Sequence, residues 1–210
     1  MPTPAYEKFR KSTVMDFDAW HDGTGYDLSA FAQMTDDEKQ TLIKEFRGMY
    51  NITWREMEVL ALDHSGESFD RLRDELASHH SVTQRAQAIG QLYGTGRTND
   101  SVFDHELSHI LDDVKESDSV VAPLLRVAER CGPRTREALL RGVRDRPKVA
   151  IHFAAALLDV DGLSDDLAAF DPKFRPTLLK LLPDEPADVR ATAFAKVCEW
   201  LKVDPATIPQ

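Results

Sequence analysis

Thr35-Asp36-Asp37-Glu38 shares a pattern of residue types with Thr53-Trp54-Arg55-Glu56 and with Ser81-Val82-Thr83-Gln84. Each stretch places a hydroxyl residue three positions before a Glu or Gln, just ahead of apolar residues at helical spacing. In such a capping box the hydroxyl accepts a hydrogen bond from a backbone N–H of the first turn, and the Glu or Gln bonds back to the N–H of the capping residue. Three capping boxes separated by short polar gaps predict a series of short helices, and strand-like alternation is nearly absent.

The spacing of apolar residues extends this prediction along the chain. We expect helices at about 35–48, 53–63, 66–78, 82–93, 101–115, 118–131, 133–145, 147–160, 174–182 and 186–202, with a further short helix within 5–20. Glycines follow several of these runs, where a left-handed residue often ends a helix; they are Gly66, Gly94, Gly96, Gly132 and Gly162. Prolines stand at or near first helical positions, where a backbone N–H is not needed; they are Pro133, Pro147 and Pro186.

Helices of this length joined by short loops pack as antiparallel neighbours. Alternate helices start about 28–35 residues apart, which approaches the ~40 residues of HEAT and armadillo units. We therefore predict an all-α fold, a HEAT-like α-solenoid of short antiparallel helical hairpins; a non-repetitive helical bundle is the alternative. No linker interrupts the chain, so residues 1–210 are predicted to form a single α-helical repeat domain on which the N-terminal segment 1–34 packs.

The composition is that of a folded protein rather than a disordered one, with 42% hydrophobic and 30% charged residues. The net charge of -10 disfavours unspecific binding to DNA or to anionic membranes and is compatible with a basic partner. Residues 1–11 lack the apolar core of a secretory signal, and the longest apolar run, 149–158, is about half the ~20 residues of a membrane span. Cys131 and Cys198 stand in no metal or redox spacing. We expect a cytoplasmic protein with reduced thiols, no membrane association and no cofactor.

Charge is unevenly distributed along the second half of the chain. Residues 100–118 contain seven acids and one base, residues 126–148 contain eight bases and three acids, and residues 159–171 contain five aspartates and no base. Such blocks are often solvated helix faces, but on a solenoid they can form stripes along the binding surface. We assign partner binding to the following acids: Asp104, Asp112, Asp113, Glu116, Asp118, Asp159, Asp161, Asp165 and Asp166.

The segment His105-Glu106-Leu107-Ser108-His109 matches H-E-x-x-H, in which two histidines one turn apart bind Zn²⁺ and the glutamate acts on the bound water. Glu129 is the one downstream residue that we consider as a third ligand. The apolar residues of this helix form a stripe centred near Leu107, and the two histidines are predicted on the opposite face. A zinc site needs its histidines turned into a water-excluded cleft. We therefore interpret the motif as coincidental and expect no bound metal and no catalytic residue; a zinc-dependent hydrolase is the enzyme alternative.

Seven arginines between residues 126 and 146 could contact phosphates. They are not interleaved with exposed aromatic residues that would stack on bases, and the whole chain is acidic. A HEAT-like nucleic-acid-binding protein is therefore an alternative that the sequence disfavours. The residues concerned are Arg126, Arg130, Arg134, Arg136, Arg141, Arg144 and Arg146.

His152 lies in a run of apolar residues from Val149 to Leu158. A helix that is apolar almost all round is typical of a buried central position. The three alanines at 154–156 would let a neighbouring helix approach closely. We predict that His152 is buried and hydrogen-bonded, with a structural role.

Two parts of the chain resemble a group of bacterial HEAT-like-repeat proteins. The front half of that group is matched by Trp20-His-Asp-Gly-Thr-Gly-Tyr-Asp-Leu28, by Met34–Glu38 and by Trp54–Ala61, and the back half by Ala138–Gly142 followed by Val149–Ala155. The resemblance covers about 20–61 and 120–202, so the H-E-x-x-H segment lies outside it. It implies an α-solenoid without assigned catalysis; some members resemble immunity proteins of bacterial toxin systems, which bind and block a cognate toxin. The motif positions that it implies are Trp20, His21, Asp22, Gly23, Gly25, Tyr26, Asp27 and His152.

The role of these motif positions is open between partner binding and packing of the N-terminal segment. Asp22 and Asp27 are natural caps for a helix or turn, and Trp20 and Tyr26 are natural packing anchors. We therefore expect a structural role first.

These observations predict a non-enzymatic protein-binding module, most concretely an immunity protein. Its partner would be a basic toxin domain, whose active-site cleft would be covered by the acids of 100–118 and 159–171. Electrostatic steering would accelerate that encounter and make it sensitive to salt.

Overall fold

The computed structural model describes residues 1–14, 24–77, 79–164 and 167–209, and every regular element within these ranges is helical. Twelve α-helices occur there: α1 Pro4–Ser12, α2 Leu28–Ala32, α3 Asp36–Gly48, α4 Trp54–Leu62, α5 Gly66–Asp74, α6 Val82–Gly94, α7 Asp100–Asp113, α8 Val121–Glu129, α9 Pro133–Asp145, α10 Ala150–Val160, α11 Arg175–Leu178 and α12 Ala187–Trp200. Short 3₁₀ turns lie at Ser117–Ser119, Leu179–Leu181 and Pro205–Thr207. The all-α prediction is confirmed, and the solenoid arrangement stays a prediction.

The three capping boxes form as predicted. At the start of α3 the Glu38 N–H donates to Thr35 Oγ1 at 3.3 Å, and the Thr35 N–H donates to Glu38 Oε2 at 3.1 Å. The same reciprocal pair starts α6 at Ser81 and α4 at Thr53. Each box satisfies N–H groups that the helix itself cannot satisfy, so the sequence fixes where these helices begin.

The predicted bounds differ from the structure by a few residues at several helix ends: the helix predicted over 66–78 ends at Asp74, and the one predicted over 118–131 is a 3₁₀ turn followed by Val121–Glu129. No helix was predicted at Leu28–Ala32, where the Asp27 carboxylate accepts a hydrogen bond from the Ala30 N–H at 2.8 Å. The helix predicted from 147 begins at Ala150, after a turn that contains Pro147. The helix predicted over 174–182 is divided into α11 and a 3₁₀ turn.

The glycine prediction is confirmed at two of five positions. Gly96 and Gly162 have positive φ angles of 69° and 63° and follow helix ends. It is wrong for Gly66, Gly94 and Gly132, because these start α5, end α6 and precede α9 without a left-handed backbone.

The chain divides into two compact units, Met1–Glu75 and Leu76–Gln210. The prediction of one domain over 1–210 stays a prediction. In the first unit, α1 to α5 enclose an aromatic core in which the Phe9 ring lies 5.7 Å from Phe31 and 6.5 Å from Phe46.

The second unit is centred on α9, which packs against both α7 and α10, while α6 packs against α7 and α8. Its core contains the fully buried side chains of Phe103, Leu107, Leu139, Phe153 and Leu157. Within the described ranges, no helix is both long enough and apolar enough to cross a membrane.

Candidate protein-binding groove

An open groove of about 460 Å³ lies between α8 and α10 in the second unit. We call it the α8–α10 groove. Its walls come from α8 and α10, and the segment Leu167–Ala169 borders it. The lining is mainly aliphatic, and neither Lys nor Arg occurs among its described residues.

Large apolar side chains are exposed along this groove. Val121 and Leu125 on α8 are 64% and 57% exposed, and Leu167 is 61% exposed. On the same helix Pro123 and Val127 are buried, and Val127 contributes to the inner part of the groove lining. Contiguous exposed apolar surface of this kind marks interaction sites in folded proteins, because transferring apolar surface out of water is favourable.

The floor of the groove is formed by small residues of α10. Ala155 and Ala156 line it, whereas Phe153, Leu157 and Leu158 point from the same helix into the core. Alanine side chains leave the space between α8 and α10 unfilled. Ala155 and Ala156 therefore create a recess on this side of the helix.

The prediction that His152 is buried and hydrogen-bonded is wrong. His152 is exposed on the open side of α10, lines the groove and makes no hydrogen bond to a described residue. It shares that side with Ala156 and Asp159, because residues at i, i+4 and i+7 lie on one helix face. Partial desolvation lowers the pKa of His152 below its ordinary value, so the neutral imidazole is favoured.

Asp159 holds the border of the groove in place. Its Oδ1 accepts a hydrogen bond from the Ala168 N–H at 2.6 Å, which fixes the segment Leu167–Ala169 beside the C-terminal end of α10. Further along, Asp171 accepts bonds from the Ser164 hydroxyl at 2.7 Å and the Lys173 N–H at 2.8 Å. These bonds lower the pKa of Asp171 and organise the loop that follows the groove.

Several of the acids predicted to bind a partner are paired with bases of the same chain. The ion pairs are Asp112 with Arg141 and Arg146, Asp113 with Arg85, Glu116 with Lys148, and Asp161 with Arg136. The acidic and basic blocks thus come from helices that pack beside one another. Asp165, Asp166 and the side chain of Asp118 lie outside the described structure, and partner binding by this acidic set stays a prediction.

Asp104 caps α9. It is 7% exposed, and its carboxylate accepts hydrogen bonds from the N–H groups of Arg134 at 3.1 Å and Thr135 at 2.9 Å. A carboxylate at this end of a helix satisfies unpaired N–H groups and interacts favourably with the helix dipole. Asp104 is therefore a structural residue that ties α7 to α9.

The H-E-x-x-H residues lie on α7 with the geometry that the apolar pattern predicted. Leu107 is fully buried, whereas His109 is exposed and its ring centroid is 4.5 Å from that of His105. Nδ1 of His105 lies 2.7 Å from Nη1 of Arg134, so a permanent cation stands beside the histidine pair. Glu129, the candidate third ligand, pairs with Arg126. No group of three metal-ligating side chains occurs within the described ranges.

The described part of the N-terminal motif is engaged in packing the first unit. The Tyr26 hydroxyl donates to Glu56, and its ring stacks on Phe46 at 5.7 Å and lies 4.1 Å from the Arg55 guanidinium. Burial, together with the hydrogen bond to Glu56, raises the pKa of Tyr26. Gly25 faces the Trp54 ring, where a Cβ would lie 3.4 Å from it.

Asp27 has the capping role that its residue type predicts. Besides the Ala30 N–H, it accepts bonds from the Ser29 hydroxyl at 2.6 Å and from Lys8 Nζ at 2.8 Å. The bond from Lys8, together with those from the Ser29 hydroxyl and the Ala30 N–H, lowers the pKa of Asp27. The remaining motif residues, Trp20, His21, Asp22 and Gly23, lie outside the described residues.

No family model, no curated protein and no solved structure matches this chain. The features that bear on function are the groove, the charge of the chain and the motif resemblance.

Proposed function

We propose that this protein is a non-catalytic protein-binding module that uses the α8–α10 groove to hold its partner. The observation that carries the proposal is the set of exposed aliphatic side chains along an open recess, above all Val121, Leu125 and Leu167. Covering the exposed part of each would contribute about 1 kcal/mol, since full burial of such a side chain is worth roughly 1.5–3 kcal/mol. The affinity of an interface is commonly dominated by a few side chains that become fully buried near its centre.

The most concrete form of this proposal is an immunity protein that binds and occludes a cognate bacterial toxin. The motif resemblance supports it, as does the net charge of -10, which suits a basic partner. Binding would cover the active-site cleft of the toxin. Long-range attraction would raise the rate of encounter, and the groove would supply the contacts that slow dissociation.

The arginines that could serve a nucleic-acid-binding function are engaged within the chain. Arg130 pairs with Asp100 at 2.9 Å, Arg141 with Asp112 at 2.7 Å and Arg144 with Asp145 at 2.7 Å. Releasing them for phosphates would require breaking these pairs. Because such pairs, that of Asp112 among them, also engage acids assigned to partner binding, the preference for a protein partner rests on the net charge of -10 and on a described groove lining without Lys or Arg.

The experiment that tests the proposed function is co-expression with the product of the adjacent gene. We expect that product to arrest growth when expressed alone, and we expect the present chain to restore growth and co-purify with it. A second, unrelated toxin serves as the control and should not be neutralised. A harmless neighbour that forms no complex with the chain would contradict the immunity proposal.

A further inference from the structure

We infer that the α8–α10 groove receives an amphipathic helix of the partner, with large aliphatic residues on one face and Lys or Arg on both flanks. This inference rests on the proposed protein-binding function and specifies the chemistry of the element that is bound. It follows from the shape of the groove and from the charge around it.

The shape of the groove suits a helix rather than an extended strand. Both walls are helices whose backbone groups bond within the helix, so the described lining offers no strand edge to which a peptide could add. The 11 residues of α10 span about 16 Å at 1.5 Å per residue. Anchors at positions i, i+4 and i+7 of a bound helix would span about 10 Å, which fits along that length.

The charge around the groove determines which sign of charge is favourable on the flanks of the bound helix. The segments 116–129 and 150–164, which border the groove, contain five acids and one base, Arg126. Arg126 is paired with Glu129, while Lys148 and Arg136 reach in to pair with Glu116 and Asp161. Asp159, which lines the groove, pairs with no described base and accepts its hydrogen bond from the neutral Ala168 N–H, so the described border carries a net negative charge.

The C-terminal end of α10 adds to this field. Asp159 is the acid within the lining, and the last carbonyls of α10 carry the partial negative charge of a helix end. Acidic flanks on an incoming helix would meet like charge on this side, whereas basic flanks would be attracted. The same argument disfavours a second copy of this chain, because a symmetric dimer would place two acidic borders together.

The test uses three fluorescent peptides of about 18 residues, long enough to form helix in water. One has Leu anchors at helical spacing with Lys flanks, the second has Glu flanks, and the third is a scrambled version of the first. Anisotropy titrations of the full chain measure each affinity. We expect the Lys-flanked helix to bind about tenfold or more tightly than the other two, with an affinity that falls as salt is raised.

The groove is tested with Leu125→Gln combined with Leu167→Gln. Both side chains are more than half exposed, so the substitutions leave the core unchanged, and a circular dichroism melt checks the fold. We expect this variant to bind the Lys-flanked helix about tenfold or more weakly. The matched control is Leu62→Gln, a leucine that is 48% exposed in the first unit and should leave affinity unchanged.

Several results would overturn the inference. They are equal binding of the Glu-flanked or scrambled peptide, absence of binding by all three, and equal affinity of the groove variant and wild type. Concentration-dependent dimerisation that the groove variant abolishes would assign the groove to a second copy. If the groove variant loses co-purification with the adjacent gene product but the Lys-flanked peptide binds no better than the other two, the proposed function stands while this inference fails.

Discussion

Asp104 and Gly132 are in direct contact, and the start of α9 depends on it. A Cβ atom at position 132 would overlap the carboxyl carbon of Asp104. That same carboxylate accepts hydrogen bonds from the backbone N–H groups of Arg134 and Thr135. A residue without a side chain is needed at 132 for Asp104 to approach the helix end. The φ of Gly132 is -84°, which any residue can adopt, so the lack of space and not the backbone angle requires glycine here.

Gly132→Ala should therefore destabilise the fold. We expect the free energy of unfolding to fall by about 1–3 kcal/mol, because the methyl group displaces a buried capping carboxylate. The measurement is chemical denaturation followed by circular dichroism. Gly48→Ala is the control, since a Cβ there meets nothing within 4 Å. Equal stability of the two variants would show that the contact does not matter.

Tyr26→Phe tests the anchoring of the N-terminal motif. The hydroxyl donates to Glu56, which is 5% exposed and also caps α4. Removing the Tyr26 hydroxyl takes one hydrogen-bond donor from the buried Glu56 carboxylate. We therefore expect the free energy of unfolding to fall by about 1–2 kcal/mol. Tyr50→Phe, at a tyrosine that is 92% exposed, should have no effect. If thermal melts show the two variants to be alike, Tyr26 has no such anchoring role.

Asp27 should contribute stability that depends on pH. Its pKa is lowered in the folded chain by Lys8 and by its capping bonds. The contribution of Asp27 to the free energy of unfolding is therefore fully present above the ordinary pKa of 3.8, and it is lost as the pH falls through the lower pKa of the folded chain. We expect Asp27→Asn to melt below wild type at pH 7, with the difference shrinking on acidification below pH 3.8. A difference that stays constant down to the acid limit would contradict this linkage.

Cys131 should react slowly as a nucleophile. Burial, helped by the nearby Asp104 and Asp161, raises its pKa to about 11 against the opposing charge of Arg136. Because the thiolate is the reactive form, alkylation by iodoacetamide should accelerate about tenfold per pH unit between pH 8 and pH 10. Mass spectrometry of the Cys131 peptide gives the rate. A plateau near pH 9 would mean that the thiol is not desolvated.

Much of the fold could be predicted because helix signals are local. The capping boxes at Thr35, Thr53 and Ser81 combine two residues three positions apart, so no tertiary information is needed to find them. The short α2 was missed because five residues give no periodicity, and its start depends on Asp27 alone. Gly132 was misassigned because the reason for a glycine there lies on another helix.

The groove could not be predicted because, like the role of Gly132, it depends on contacts between different helices. In the sequence, Val121 and Leu125 are ordinary apolar positions of a helix, and only the packing of α8 beside α10 decides that they face outward. His152 was expected in the core because its neighbours are apolar, but α10 buries one side only. A signal was present in α8, whose apolar residues cover more of the helix than one buried stripe requires.

The measurement that tests the central claim most directly is calorimetric titration of the adjacent gene product into three proteins: wild type, Leu125→Gln with Leu167→Gln, and Leu62→Gln. We predict saturable binding to wild type and to Leu62→Gln, with an affinity about tenfold or more lower for the groove variant. Equal affinity for all three proteins, or no binding to wild type, would contradict a partner held in the α8–α10 groove.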